Sequence, residues 1–109
     1  MKKKRKAAKK ITASYEEGLR KRLKDPEYAA EYLTACFESK EGNAEELFLM
    51  ALRDVAKAHS FQTVAKKAKL GRESLYKAIS NKGNPKLSTL TAILQAVGIK
   101  INFESQKAA

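Results

Sequence analysis

The chain has 109 residues, 43% of them hydrophobic, with no tryptophan and a formal net charge of +11. That length suits one small domain with tails, the single cysteine excludes an internal disulfide framework, and no apolar run approaches the roughly 18 residues of a membrane span. Charge is unevenly placed, with net +9 over residues 1–24, −6 over residues 25–54 and +8 over residues 55–109.

In chain order, residues 1–10 are almost all Lys, Arg and Ala, and residues 1–13 are read as a basic disordered tail. This end has no apolar stretch, so a secretory signal is not expected and a reducing cytoplasm is the expected setting. Residues 14–24 form an N-terminal extension, with Tyr15, Leu19 and Leu23 at a four-residue spacing that suggests a short helix weakened by Gly18.

The main domain is expected over residues 25–109. Asp25 is a good helix N-cap, Pro26 suits the first helical position and Glu27 suits the positive end of the dipole. Ala29, Tyr32, Leu33, Cys36 and Phe37 follow at helical spacing. Gly42-Asn43 breaks the pattern, and Asn43 with Glu46 resembles a capping box for a helix lined by Leu47, Phe48, Ala51, Leu52 and Val55. Ser60 can cap the next helix.

Phe61 to Ser80 reads as two short helices meeting at a tight turn. Val64, Ala65 and Ala68 give the inner face of the first, and Leu75, Ala78 and Ile79 that of the second. Leu70-Gly71 lies between, so both faces can turn into one core. This is the layout of a helix-turn-helix, whose second helix enters the major groove of operator DNA. Arg72, Ser74 and Lys77, with Tyr76, occupy the open side of the second helix, where Arg pairs bidentately with guanine and Lys reaches base or phosphate. Glu73 either accepts from cytosine or stabilises the helix N-terminus. Gln62 and Thr63 open the first helix, where amides grip phosphate, and Lys82 and Asn84 lie in the following loop, in reach of the backbone. The bland reading of the same pair is ordinary core packing.

After the loop Asn81–Pro85, Ser88 or Thr89 is expected to start the last helix, in which Leu90, Ile93, Leu94 and Val97 recur at i, i+3, i+4 and i+7. Gly98 stops it. Ile99, Ile101 and Phe103 then alternate with polar residues, a short strand that needs a partner, for which the same segment of a second copy is the simplest candidate.

The acidic middle reads either as the solvated face of two helices or as the sign of a partner distinct from nucleic acid. His59 reads as a helix-terminal structural residue and Cys36 as an inert thiol. No metal or cofactor set has its usual spacing, and no catalytic constellation is seen, so no enzyme is expected.

The runs Asp25-Pro26-Glu27-Tyr28-Ala29-Ala30-Glu31-Tyr32-Leu33 and Leu49-Met50-Ala51-Leu52-Arg53-Asp54-Val55-Ala56, the block Leu70-Gly71-Arg72-Glu73-Ser74-Leu75-Tyr76-Lys77-Ala78, Gly83-Asn84-Pro85, and the tail Leu94 to Phe103 are similar to the addiction-module antidote family, the HigA-type antitoxins of bacterial toxin–antitoxin operons. The resemblance implies an all-α, lambda-repressor-like helix-turn-helix bundle with a short C-terminal β-strand, over residues 25–109, working as a homodimer. It implies a basic RelE/HigB-like mRNA endonuclease as partner and repression of the shared promoter. A basic toxin gives the acidic region a role: Glu27, Tyr28, Glu31, Tyr32, Glu38, Glu45 and Glu46 are the candidate toxin-facing residues, with Phe37 a further apolar anchor. The Lys-rich first ten residues depart from the family pattern. A stand-alone helix-turn-helix regulator without a toxin is the alternative.

Overall fold

The computed structural model of the protein describes residues 14–106, and every regular element among them is a helix. α1 spans residues 14–23. It is followed by α2 (Pro26–Phe37), α3 (Ala44–His59), α4 (Phe61–Ala68), α5 (Arg72–Ala78) and α6 (Leu87–Ala96). The expected basic tail, 1–13, lies outside the described residues.

Local chemistry fixes most of the boundaries. The Asp25 side chain accepts from the Glu27 amide at 3.2 Å, with Pro26 entering the first turn behind it. Asn43 Oδ1 accepts from the Glu45 and Glu46 amides at 2.9 and 3.3 Å. Ser60 Oγ accepts from the Thr63 amide at 3.3 Å. Each bond satisfies a donor that the helix itself leaves unpaired. The last helix begins earlier than the hydroxyls of Ser88 and Thr89 suggest. Lys86, still extended at ψ 156°, takes the cap position, and no side chain bonds the first amides.

The core is apolar and continuous. Leu23, Leu52, Val55, Val64, Leu75, Ile79, Ile93 and Val97 are fully buried, so the extension 14–24 joins the same core through Leu23. Each such side chain contributes about 1.5–3 kcal/mol by leaving water. α2 packs along α3, and α4 packs against α6, α3 and α5.

The connections in the middle are short. α3 and α4 are joined by Ser60 alone, at φ 76° and ψ 126°. The turn between α4 and α5 contains Leu70-Gly71, as expected, but its left-handed residue is not the glycine. Gly71 has φ −68°, open to any residue, whereas Lys69 carries the left-handed conformation at φ 58°. The Leu70 amide reaches back to the Ala65 carbonyl at 2.9 Å, so Lys69 closes α4 where glycine is the usual choice. The glycine that the fold requires is Gly83. A Cβ there would lie 2.3 Å from the Ala78 carbonyl oxygen, because the loop after α5 folds back onto the helix end.

At the C-terminus, Gly98 has φ +80°. Its amide bonds the Gln95 carbonyl at 3.0 Å and the Ile99 amide bonds that of Leu94 at 2.8 Å, a Schellman stop. The strand expected after it is not present. Residues 99–106 are irregular, with Ile99 half-buried, Ile101 37% exposed and Phe103 91% exposed. A strand is defined by its ladder of hydrogen bonds, and the described residues of a single copy offer this segment no edge to pair with.

Gly83→Ala is expected to lower unfolding stability by about 1–3 kcal/mol, because the added methyl meets fixed backbone. Gly71→Ala, whose Cβ would find Ser74 Oγ at 3.8 Å, is expected to be nearly neutral. Urea unfolding of the two variants compares them directly, and the reverse order would show that Gly71 is the constrained turn residue.

Candidate functional site

α5 is a short rod with its inner side sunk into the core. Leu75 is buried on the helix, Ile79 is buried at its end, and Arg72, Glu73, Ser74, Tyr76 and Lys77 all face solvent. The α4–α5 pair and its flanking loop thus bring one sequence-predicted set together on exposed positions, since Gln62, Thr63, Lys82 and Asn84 are exposed as well.

Two contacts fix the pose of α5. The Tyr76 ring lies against that of Phe61, with centroids 4.8 Å apart, which ties the open side of α5 to the start of α4. From below, Arg53 Nη1 on α3 donates to the Ile79 carbonyl oxygen at 2.7 Å, at a half-buried position. This cation sits at the C-terminal end of α5, where the helix dipole favours positive charge. Sequence reasoning gave Arg53 no role, and its one signal was a charged pair, Arg53-Asp54, inside an apolar run.

At the start of α4 the first amides have no helical partner, as at any helix N-terminus, and they accompany the exposed Gln62 side chain. Thr63 differs, because its amide and its hydroxyl both donate to Ser60 Oγ, at 3.3 and 3.4 Å. Glu73 lies in the first turn of α5, which has no side-chain cap, so its carboxylate complements the free amides there.

The acidic set divides into two groups. Glu27, Glu31, Glu38, Glu45 and Glu46 are exposed. The two tyrosines between them are used within the fold. Arg22 Nε donates to the Tyr28 hydroxyl at 3.2 Å, and its guanidinium carbon lies 5.5 Å from that ring. The Tyr32 hydroxyl donates to Asp54 Oδ2 at 2.8 Å. Burial, then the Asp54 hydrogen bond, pushes the Tyr32 phenol above its ordinary range, so it stays a donor. Phe37, the further apolar anchor candidate, is 56% exposed and meets Phe48 edge-on at 5.5 Å.

Cys36 is half-buried, and burial followed by the nearby Asp54 charge raises its thiol, which keeps it neutral. His59 Nε2 is buried without a hydrogen-bond partner. Burial lowers the His59 pKa, Lys67 and Lys24 lower it further, and a backbone bond to Leu23 opposes them. Among the described residues, no group of three or more His, Cys, Asp or Glu is placed to hold a metal ion, and no helix is long and apolar enough to cross a membrane.

Residues 15–105 match the model of a family described as "Probable addiction module antidote protein". The chain is also 36% identical over 64 residues to a protein of Haemophilus influenzae described only as uncharacterized, an alignment covering 59% of this chain and 66% of that protein. The chain therefore spans just under two thirds of that relative's length. No solved structure matches.

Arg53→Met keeps an unbranched apolar stem but removes the bond to the end of α5. It is expected to lower stability by about 1–3 kcal/mol and to speed amide exchange over residues 75–80 relative to α2. Equal exchange rates in the two proteins would rule out Arg53 as the anchor of α5. A second expectation concerns pH. The folded protein disfavours charged His59, so the unfolded chain binds more protons as pH falls through its ordinary pKa near 6.5. Stability is expected to decline below that pH, and His59→Gln should flatten the decline when both are melted between about pH 7.5 and 5.

Proposed function

The chain belongs to the probable addiction module antidote protein family, whose model matches residues 15–105, and from that premise we propose that it is the antitoxin of a type II toxin–antitoxin system. In this reading it neutralises a basic, RelE/HigB-like mRNA endonuclease by binding it directly. It represses its own operon by binding operator DNA as a homodimer in the bacterial cytoplasm, and it catalyses no reaction itself.

The observation that carries the DNA-binding half is the presentation of α5. Leu75 and Ile79 hold it from beneath, Arg53 holds its end, and Arg72, Ser74 and Lys77 point outward from it. A lambda-repressor-like helix-turn-helix uses this arrangement to set side chains against base edges, while residues at the first helix start and after the second touch phosphate. Gln62, the amides beside it, Lys82 and Asn84 are the phosphate candidates. Tyr76 packs Phe61 and orients the pair. Thr63, with both donors engaged, helps position this helix start.

Dimerisation is assigned to the C-terminal segment. The exposed Ile101 and Phe103 support antiparallel pairing of residues 99–104 with the same segment of a second copy, in which both side chains would be covered. Such a dimer places two recognition helices about 34–36 Å apart, one turn of DNA. The net charge of −6 over residues 25–54 supports the toxin-binding half, because an RNA-cutting protein presents cations and complementary charge speeds capture.

Co-expression of the full chain with the product of the reading frame that adjoins its gene tests both halves, a small basic product being the expected one. The expected outcome is a stable complex, rescue of growth, and operator binding that Arg72→Ala weakens by about 1–3 kcal/mol on the operator alone. Operator binding without capture of the neighbouring product would leave a stand-alone regulator. Equal loss on operator and random DNA would remove Arg72 from base reading.

A further inference from the structure

The corner where α2 hands over to α3 carries an apolar pair that the fold does not cover. Phe37 is 56% exposed, its ring edge-on to the half-buried Phe48 at 5.5 Å. The segment that joins the two rings carries Glu38, Glu41, Glu45 and Glu46, all exposed, and Lys40 is the one basic residue between positions 38 and 52. The corner is held in shape: the Glu41 amide donates to Ser39 Oγ at 3.2 Å, and Asn43 caps α3.

Helix electrostatics account for only part of this charge. Glu45 and Glu46 lie in the first turn of α3, where the dipole favours them. Glu38 is in the opposite situation. It caps the C-terminal end of α2, the negative end of the dipole, and α2 has no basic residue in its last turn. A carboxylate there weakens the helix.

We propose that this corner, and not the tyrosine-bearing length of α2, is the docking point for the basic toxin, with Phe37 as the apolar anchor and Glu38, Glu41, Glu45 and Glu46 as its rim. The inference rests on the antitoxin reading above. An aromatic inside a polar rim is the arrangement in which a few residues carry most of the affinity of an interface. Tyr28 and Tyr32 spend their hydroxyls on Arg22 and Asp54, so they fit a supporting role. Charge selects the occupant. A second copy docking by the same face would bring each acidic rim against itself, an isologous contact that like charges oppose.

The test measures binding of the full chain to the product of the reading frame that adjoins its gene, at low and high salt. Phe37→Ser is expected to weaken binding by at least about 30-fold while leaving the dimer and operator binding unchanged. The triple change Glu38→Lys, Glu41→Lys and Glu45→Lys leaves the aromatic pair intact. It is expected to slow association at least about tenfold at low salt, with the difference shrinking as salt rises. Glu27→Lys with Glu31→Lys, on the length of α2, should change affinity less than about threefold. Undiminished binding by Phe37→Ser, or equal losses from the two sets of reversals, overturns the proposal and leaves the antitoxin reading standing. Loss of the dimer in Phe37→Ser also overturns it, by making the corner a self-interface. Failure of the wild-type chain to bind the neighbouring protein overturns both.

Discussion

Two adjacent residues of α3 join the two halves of this molecule. Arg53 reaches to the Ile79 carbonyl at the end of α5, and Asp54 takes the hydroxyl of Tyr32 on α2. A half-buried cation and anion are held side by side, each facing a different helix. Burial of either without its partner would cost more than the bond contributes, so the positions of α2 and α5 are fixed together through α3. The exposed row on α5 and the acidic corner beyond α2 both depend on that frame. Apolar packing supplies most of the stability, but it is nondirectional, and these two bonds set the angles at which the outer helices are presented.

Much of this fold is legible in the residues, and the reasons are local. Asp25, Asn43 and Ser60 announce helix starts because a capping side chain acts within three residues of its own position, and each makes the expected bond. The buried faces of α4, α5 and α6 follow from spacing alone, since Val64, Ala68, Leu75, Ile79, Ile93 and Val97 lie inside at the places where periodicity puts them. Gly98 stops α6 with the backbone geometry that favours glycine. Family membership is legible as well, in the block around Gly71 to Ala78.

What was hidden depends on distance in sequence. Arg53 and Ile79 lie 26 positions apart and Tyr32 and Asp54 lie 22 apart, so no window of neighbours reveals either bond. The constraints on the two turns around α5 are hidden for a related reason. Composition marks Gly71, whereas the constraint falls on Gly83 from a carbonyl of a helix already completed, and Lys69 adopts the left-handed backbone that composition assigns to glycine. Phe37 has the spacing of an inner residue, but α2 ends there, and past the end of a helix the periodicity has no further turn to bury. The C-terminal alternation is of the same kind: it describes a strand's two faces and cannot supply the second edge a ladder requires.

Ser60 carries a conflict between two demands. At φ 76° and ψ 126° its backbone lies where L-residues are strained by about 1–3 kcal/mol, while its hydroxyl supplies the only side-chain cap at the start of α4. Glycine would relieve the backbone and abandon the cap. Aspartate or asparagine would keep a cap, but their tolerance of positive φ is centred on the left-handed well, at ψ far below 126°. Any insertion would lengthen a joint that now transmits the direction of α3 into α4 through one residue. The freedom of this position is therefore narrow for reasons unrelated to any ligand: changes on the exposed faces of α5 or of the α2–α3 corner leave the length of this joint, and the small size of its residue, under the same constraint.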